Sequence, residues 1–254
     1  MDLPGTQSTE GELDPVTPHF TFDWLAPEGK TPMHEQIFAL RFKVYCLECG
    51  FLRASDFEDG LESDEYDERS VHFIARDSQD ELAGTVRLVH SSDSRFPFED
   101  HCNVFDDVAL PDPREAGEVS RLVVSPRYRR RAGDTMAGVS EQFFTSTVYG
   151  MAGDHPPGER RSSSPQILMG LYREMYQHSV RANIRYWYAA MEKSLARALS
   201  RLQFVFRPIG VETDYYGPVT PYLADLRELE KKLKDNRPEL LAWFRKEPAP
   251  PRRK

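Results

Sequence analysis

Residues 118–133 read EVSRLVVSPRYRRRAG, and this stretch changes character halfway along. From Val119 to Val124 it has the β-branched and apolar composition of a buried strand, and Pro126, which has no N–H to donate, stops any ladder at Ser125. Period-two alternation predicts Glu118, Ser120, Leu122 and Val124 on one face and Val119, Arg121 and Val123 on the other. An acid and a base then approach the core from opposite sides, and neither belongs in a plain core strand. Arg127, Arg129, Arg130 and Arg131 follow at once, ahead of Gly133. Such a loop either presents guanidinium and backbone N–H groups to a pyrophosphate or phosphopantetheine, or is a hydrated basic loop after an edge strand.

Downstream, residues 134–148 suit a short helix, and residues 149–164 form a Gly, Pro, Ser and Arg insertion expected to be mobile. Ser164-Pro165 restarts a helix whose apolar stripe of Leu168, Leu171, Tyr172 and Met175 ends near Ala182. Ile184 to Ala190 reads as a strand, Leu195, Leu199 and Leu202 as a helical stripe, and Phe204 to Phe206 as a further strand. Val219 to Ala224 is the last strand. LRELEKKLKD and PELLAWFRK predict amphipathic surface helices within 226–254, followed by a loose basic tail.

Upstream, Met1 to His19 reads as a disordered tail, and Phe20, Phe22, Trp24 and Leu25 start the fold as a short strand. Thr31-Pro32 supplies an N-cap and a first-turn proline for a helix from Pro32 to Glu48, on which Arg41 and Tyr45 share a face. Val71, Phe73 and Ala75 alternate as one strand and Leu82 to Val89 as its hairpin partner. Arg87 on that second strand needs a carboxylate or a bound anion to offset its desolvation. Between helix and hairpin, DFEDGLESDEYDE carries eight acids in thirteen residues. This is either a hydrated loop or a wall on which Glu62, Asp64 and Asp67 face a cationic amine.

Composition narrows the function classes. With 254 residues and 39% hydrophobic content the chain can bury one sizeable core. A net charge of −8 and a pI near 5.5 argue against nucleic acid as the main partner. Three cysteines make no paired framework, and the polar start MDLPGTQSTEGELDP lacks the regions of a signal peptide, so a cytoplasmic location is expected. No apolar run approaches the roughly 18 to 20 residues that cross a bilayer, leaving at most peripheral membrane contact. Cys46 and Cys49 with His101 and Cys102 are either a zinc set or separate thiols, and thiols are the stronger reading. No metal is expected.

Several motifs together resemble one enzyme family. LRFKVY with Arg41 and Tyr45, Phe51 downstream, ESDEYD with Asp64 and Asp67, GTVRL with Arg87, and EVSRLVV with Glu118, Ser120 and Arg121 are similar to the pattern of acyl-homoserine lactone (autoinducer) synthases. These belong to the superfamily named after the GCN5-related N-acetyltransferases (GNAT), beside the long-chain N-acyl amino acid synthases. YCLECGFL, FPFEDHC, SRLVVSPRYRRR and YWYAAMEKSLARALSRL resemble more closely the acyltransferases associated with the bacterial exosortase and PEP-CTERM sorting system. The resemblance runs from about His34 to Asp225. It departs from the superfamily in having RYRRRAGD where a glycine-rich loop is usual.

The resemblance implies an α/β, GNAT-like fold with a mixed, mostly antiparallel central sheet flanked by helices, over residues 20–225. It implies transfer of a long-chain acyl group from a thioester, on acyl carrier protein (acyl-ACP) or as acyl-CoA, to the amine of an amino acid or similar small metabolite, with no permanently bound cofactor. By motif position Glu118 is the first candidate base and Asp64 the second, and Arg121 holds Glu118 or a substrate carboxylate. Arg41 and Arg87 orient an acidic group of the acceptor, Phe51 walls the pocket beside Tyr45 and Ser120, and Asp64 and Asp67 face the ammonium. Backbone N–H groups near Val123 and Val124 polarise the thioester, and Arg127, Arg129, Arg130 and Arg131 meet the acidic carrier. Two alternatives stand beside this: a lactone synthase using S-adenosylmethionine, and a non-catalytic acyl- or carrier-binding regulator on the same fold.

Overall fold

The computed structural model describes residues 14, 16–17, 19–27, 31–91, 95–129, 164–201 and 203–246. One eight-stranded sheet runs in the order β1-β2-β3-β4-β5-β8-β6, with β7 paired to β8. The strands are β1 (Thr21–Leu25), β2 (Ser70–Arg76), β3 (Leu82–His90), β4 (Ala116–Val124), β5 (Tyr186–Met191), β6 (Arg207–Pro208), β7 (Thr213–Asp214) and β8 (Pro218–Asp225). Every pairing is antiparallel except β4 with β5. The mixed, mostly antiparallel sheet with helices on both faces is therefore as expected.

On one face lies α1 (Pro32–Phe42). Thr31 caps it in extended conformation, and its hydroxyl meets His34 Nδ1 at 2.9 Å, a capping box with histidine in place of the usual acid. The expected helix to Glu48 is continuous, but Lys43–Glu48 has π pitch, with the Cys49 N–H donating to Val44 O at 2.9 Å. Such wide turns recur at functional sites because they re-aim side chains. The short α2 (Pro97–His101) lies against β5.

The other face carries α3 (Ser164–Arg181), with α4 (Lys193–Arg201), α5 (Leu226–Asn236) and α6 (Pro238–Arg245) around it. Leu168, Leu171 and Met175 are fully buried in the main core, as their stripe predicts. The last two helices are more than surface elements: Leu233, Trp243 and Phe244 join that core, because their stripe continues across the helix break. Asp14, within the expected tail, is also drawn in. Asp14 accepts from Trp243 Nε1 at 2.9 Å and from Arg173 Nη1 at 2.9 Å, so the boundary at His19 falls too late. The expected strand at Phe204–Phe206 is displaced to Arg207–Pro208, because the Phe204 N–H closes α4 by donating to Leu199 O. The expected helix at 134–148, nearly all of the 149–164 insertion, and residues 247–254 lie outside the described residues.

The central correction is in β4. Thr85 pairs with Val123 but Arg87 pairs with Ser120, so Arg121 and Leu122 together oppose Val86. This is a β-bulge, and Arg121 takes the left-handed conformation at φ 51 that lets one residue be inserted. The alternation flips there: Val119 and Val124 both face α3, while Val123 packs with Val44 and Tyr45 on the α1 side. Glu118 and Arg121 thus lie on the same face, contrary to strict alternation.

Where α3 crosses β1, only glycine fits. A Cβ on Gly170 would overlap the ring of Phe22. Gly170→Ala is expected to lose about 1–3 kcal/mol to overpacking despite better helix propensity, read as a lower urea midpoint, and Phe22→Leu should restore part of it.

Candidate active site

β4 and β5 pair at Ala116, Gly117 and Glu118 with Tyr186, Trp187 and Tyr188. Beyond that point the bulge turns β4 away, and the strands part. A cleft fills the gap, with Val119 to Leu122 on one side and Ala189 to Glu192 on the other. Tyr172 of α3 and Leu195 of α4 line it from one face of the sheet, and Tyr45, Phe51 and Tyr216 from the other. The cleft therefore passes through the sheet.

Beside the α1-side mouth stands a lattice of three arginines and three carboxylates. Arg41, with no exposed surface, donates through Nη1 and Nη2 to the two oxygens of Asp67 at 2.7 and 3.1 Å and through Nε to Glu62. Arg87, 1% exposed, donates through Nε to Ser120 Oγ at 3.0 Å and through Nη1 to Asp64 at 2.5 Å and Asp67 at 2.8 Å. Arg121 reaches Glu62 Oε1 at 3.0 Å and Asp64 Oδ2 at 2.9 Å, with its guanidinium 5.5 Å from the Tyr45 ring centre and 5.7 Å from that of Tyr216. The six formal charges cancel. Burial alone would raise the three acids, but the arginines overcome it and hold all three below the usual carboxylate range, Asp67 furthest.

His72 packs behind this lattice with its Nε2 3.5 Å from Asp67, and burial pushes it down to about 3, so it is neutral. Glu118 has a different environment. It is 2% exposed, and its Oε2 accepts one hydrogen bond, from the Phe98 N–H at 2.9 Å. Burial raises it to about 8, against the pull of that bond and of Arg87 and Arg121. One carboxyl near the cleft is thus poised near neutral pH while three others are fixed as anions.

These positions sort the expected site residues. Tyr45, Phe51, Ser120 and Arg121 line the cleft. Asp64, with 18% of its side chain exposed, is the lattice acid that keeps access to solvent. Glu62 and Asp67 are engaged by arginines, so they do not form an open wall for an amine, and Arg41 is too deeply enclosed to meet an acceptor. Arg87 likewise acts from behind, holding Ser120 and Asp64. Val123 and Val124 do not line the cleft; their side chains pack into the cores on either face, and the residues in the gap are Val119 to Leu122.

The arginine loop is divided. Arg127 pairs with Glu81 at 3.1 Å, and Arg129 pairs with Glu48 close to Cys49, whose thiol also feels Glu192 of the cleft wall. Arg130 and Arg131 lie outside the described residues. Cys46, Cys49 and Cys102 are free thiols, and among the described residues no group of three or more His, Cys, Asp or Glu side chains is placed to hold a metal ion. Sequence reasoning missed Tyr172, Leu195 and Tyr216 as cleft residues. The first two sit in an ordinary helical stripe, and Tyr216 is held at φ 56 in the turn between β7 and β8. Among the described residues no helix is long and apolar enough to cross a membrane.

Residues 40–138 match the acetyltransferase (GNAT) domain family. No curated protein matches the chain. Among solved structures, the CoA-dependent acyl-homoserine lactone synthase BjaI, in complex with SAM and isopentyl-CoA, has a TM-score of 0.59 at 17% identity, covering 85% of this chain and 89% of that one. The acyl-homoserine lactone synthase LasI gives 0.55 at 12%, covering 82% and 90%. TofI, solved with an inhibitor and MTA, gives 0.55 at 16%, covering 87% and 99%. At such identities the likeness is one of fold, and the fold is GNAT-like.

Proposed function

We propose that this protein, a chain of GNAT-like fold, is an N-acyltransferase that moves a fatty acyl group from a thioester to the amine of an amino acid or similar small metabolite. The observation that carries this reading is the cleft through the sheet, apolar on the α3 side and bordered by ionised and titratable groups on the α1 side. A hydrocarbon chain suits the first side and a charged amine the second.

The thioester carbonyl then lies in the gap, where β4 backbone groups freed from pairing with β5 are available to a developing oxyanion. On the α1 side, Asp64 and the Tyr45 and Tyr216 rings face the ammonium, and Arg121 and Ser120 hold an acidic group of the acceptor. Glu118 takes the ammonium proton through an intervening water, since it is buried one residue beyond the cleft wall. The free amine attacks the carbonyl carbon, the C–N bond forms, the C–S bond breaks, the nitrogen's second excess proton passes to the departing thiolate, and Glu118 returns its own proton to solvent. Asp64 is the weaker base of the two, because Arg87 and Arg121 hold it ionised. The donor is carried by acyl carrier protein or coenzyme A. A long-chain N-acyl amino acid synthase of the kind associated with exosortase and PEP-CTERM sorting is the specific form of this reading.

Mass spectrometry of lipid extracts from cells producing the protein tests it. A new N-acyl amino acid, absent from cells producing Glu118→Ala, is expected, and its mass names acceptor and chain. An acyl lactone would point instead to S-adenosylmethionine as acceptor. Extracts identical to those of cells without the protein would remove the enzyme reading in favour of an acyl- or carrier-binding role.

A further inference from the structure

Outside the cleft, two histidines meet where α3 crosses the sheet. His90 ends β3 opposite Gly117, in the part of β4 still paired to β5, and His178 stands in the last turn of α3. Their Nε2 atoms are 3.3 Å apart. Aromatic walls hold the His178 ring, with Trp24 of β1 at 5.4 Å and Phe73 of β2 at 5.6 Å. Phe73 is fully buried and Trp24 is 42% exposed, so the pair has a sealed side and an open one. Both imidazoles are half-buried. Burial lowers both, and His90 and Arg181 add to the effect on His178, so the two rings are neutral at pH 7.

Two neutral imidazoles in contact can share one N–H, or both can turn lone pairs on a cation. The separation favours the second. A hydrogen bond would draw the nitrogens in toward about 3 Å. On a tetrahedral ion with metal–nitrogen bonds of about 2.0–2.1 Å, two ligand nitrogens stand roughly 3.3–3.4 Å apart. Adjacent nitrogens on a square-planar or octahedral ion at the same bond length stand at roughly 2.8–3.0 Å.

We propose that His90 and His178 together bind a tetrahedral divalent cation of the zinc type through their Nε2 atoms, with water filling its other positions. The ion ties the last turn of α3 to the end of β3. Each Nδ1 then carries the ring proton, so binding releases none from the pair. Two protein ligands make an exchangeable site, unlike the four-ligand kind on which folding depends. This pair is distinct from the Cys46, Cys49, His101 and Cys102 set weighed in the sequence.

Zinc chloride titrated into the chelator-treated full chain tests the proposal, with calorimetry for affinity and a thermal melt for stability. Zinc at about ten times its dissociation constant is expected to raise the thermal midpoint by roughly 3–6 °C. His90→Gln and His178→Gln should each weaken binding at least about tenfold, the least that even an outer partner of a metal ligand is worth, and remove the midpoint shift. Cys49→Ser, which removes the partly exposed thiol, should change neither. In the wild type, where no substitution can disturb the fold, the imidazole proton resonances of His90 and His178 should move together as zinc is added. Absence of zinc binding, binding that survives both glutamine variants, or resonance shifts confined to other histidines would overturn the inference. The acyl-transfer reading is tested apart from this one, because neither histidine lines the cleft.

Discussion

Glutamine in place of Glu118 is expected to lower kcat/KM for amide formation by about 10²–10⁴-fold and to flatten its pH dependence. The wild-type rate should climb about tenfold per pH unit up to roughly pH 8, since burial sets Glu118 at about 8 and only its ionised form accepts the ammonium proton. Glutamine keeps the shape and can still accept from the Phe98 N–H. A structural role alone would leave the pH profile intact.

The same residue makes an opposite prediction for stability. Its folded value lies above the unfolded carboxylate value, so between about pH 4.5 and 8 the folded state holds a proton that the unfolded state has released, and stability falls as pH rises. Glu118→Gln removes that loss. The variant should therefore gain in thermal midpoint relative to the wild type as pH is raised from 5 to 9. A variant that loses both stability and activity at every pH would show that Glu118 serves packing.

The second large effect concerns the arginine–carboxylate lattice. Asp67→Ala is expected to cost about 3–5 kcal/mol at pH 7, because it strands Arg41 and one nitrogen of Arg87 in a buried site with a net positive charge. Asp67, Asp64 and Glu62 are all held below their unfolded values, so their contribution is complete above about pH 5 and is lost as pH falls through the folded values. Urea unfolding should accordingly show wild type and variant far apart at pH 7 and converging in acid. Equal midpoints at pH 7 would mean that water, and not Asp67, satisfies Arg41. Arg41→Met is the informative companion, since it removes one charge but leaves each acid an arginine partner, and it should cost less than Asp67→Ala.

The sheet was legible where local chemistry decides. Thr31-Pro32 starts α1, Ser125-Pro126 stops β4, and the alternation in Val71, Phe73 and Ala75 places β2, because caps, missing donors and side-chain period act within a few residues. The site was legible as a set of residues but less so as an arrangement. Arg41, Asp64, Asp67, Arg87 and Arg121 do converge, yet which carboxylate each guanidinium chooses depends on strand register, and one inserted residue at Arg121 reverses every side chain after it. A bulge of that kind leaves no compositional mark, since arginine is not a residue whose presence announces positive φ. The π turn is equally silent in KVYCLE, and the roles of Leu233 and Trp243 required knowing what their stripes would meet.

The bond between Asp14 and Trp243 joins residues 229 positions apart. Contacts of such separation are slow to form, because the whole intervening loop must be ordered or closed first. On a ribosome, the corner where Asp14 and Arg173 await Trp243 stays open until Trp243 itself has emerged. Until then the apolar flank of α3 at Tyr176 and Gln177 lacks the Phe244 side chain and carbonyl that cover it. α6 is therefore the clasp over this flank of α3, and a chain cut short before Pro238 would carry its core open to whatever it meets.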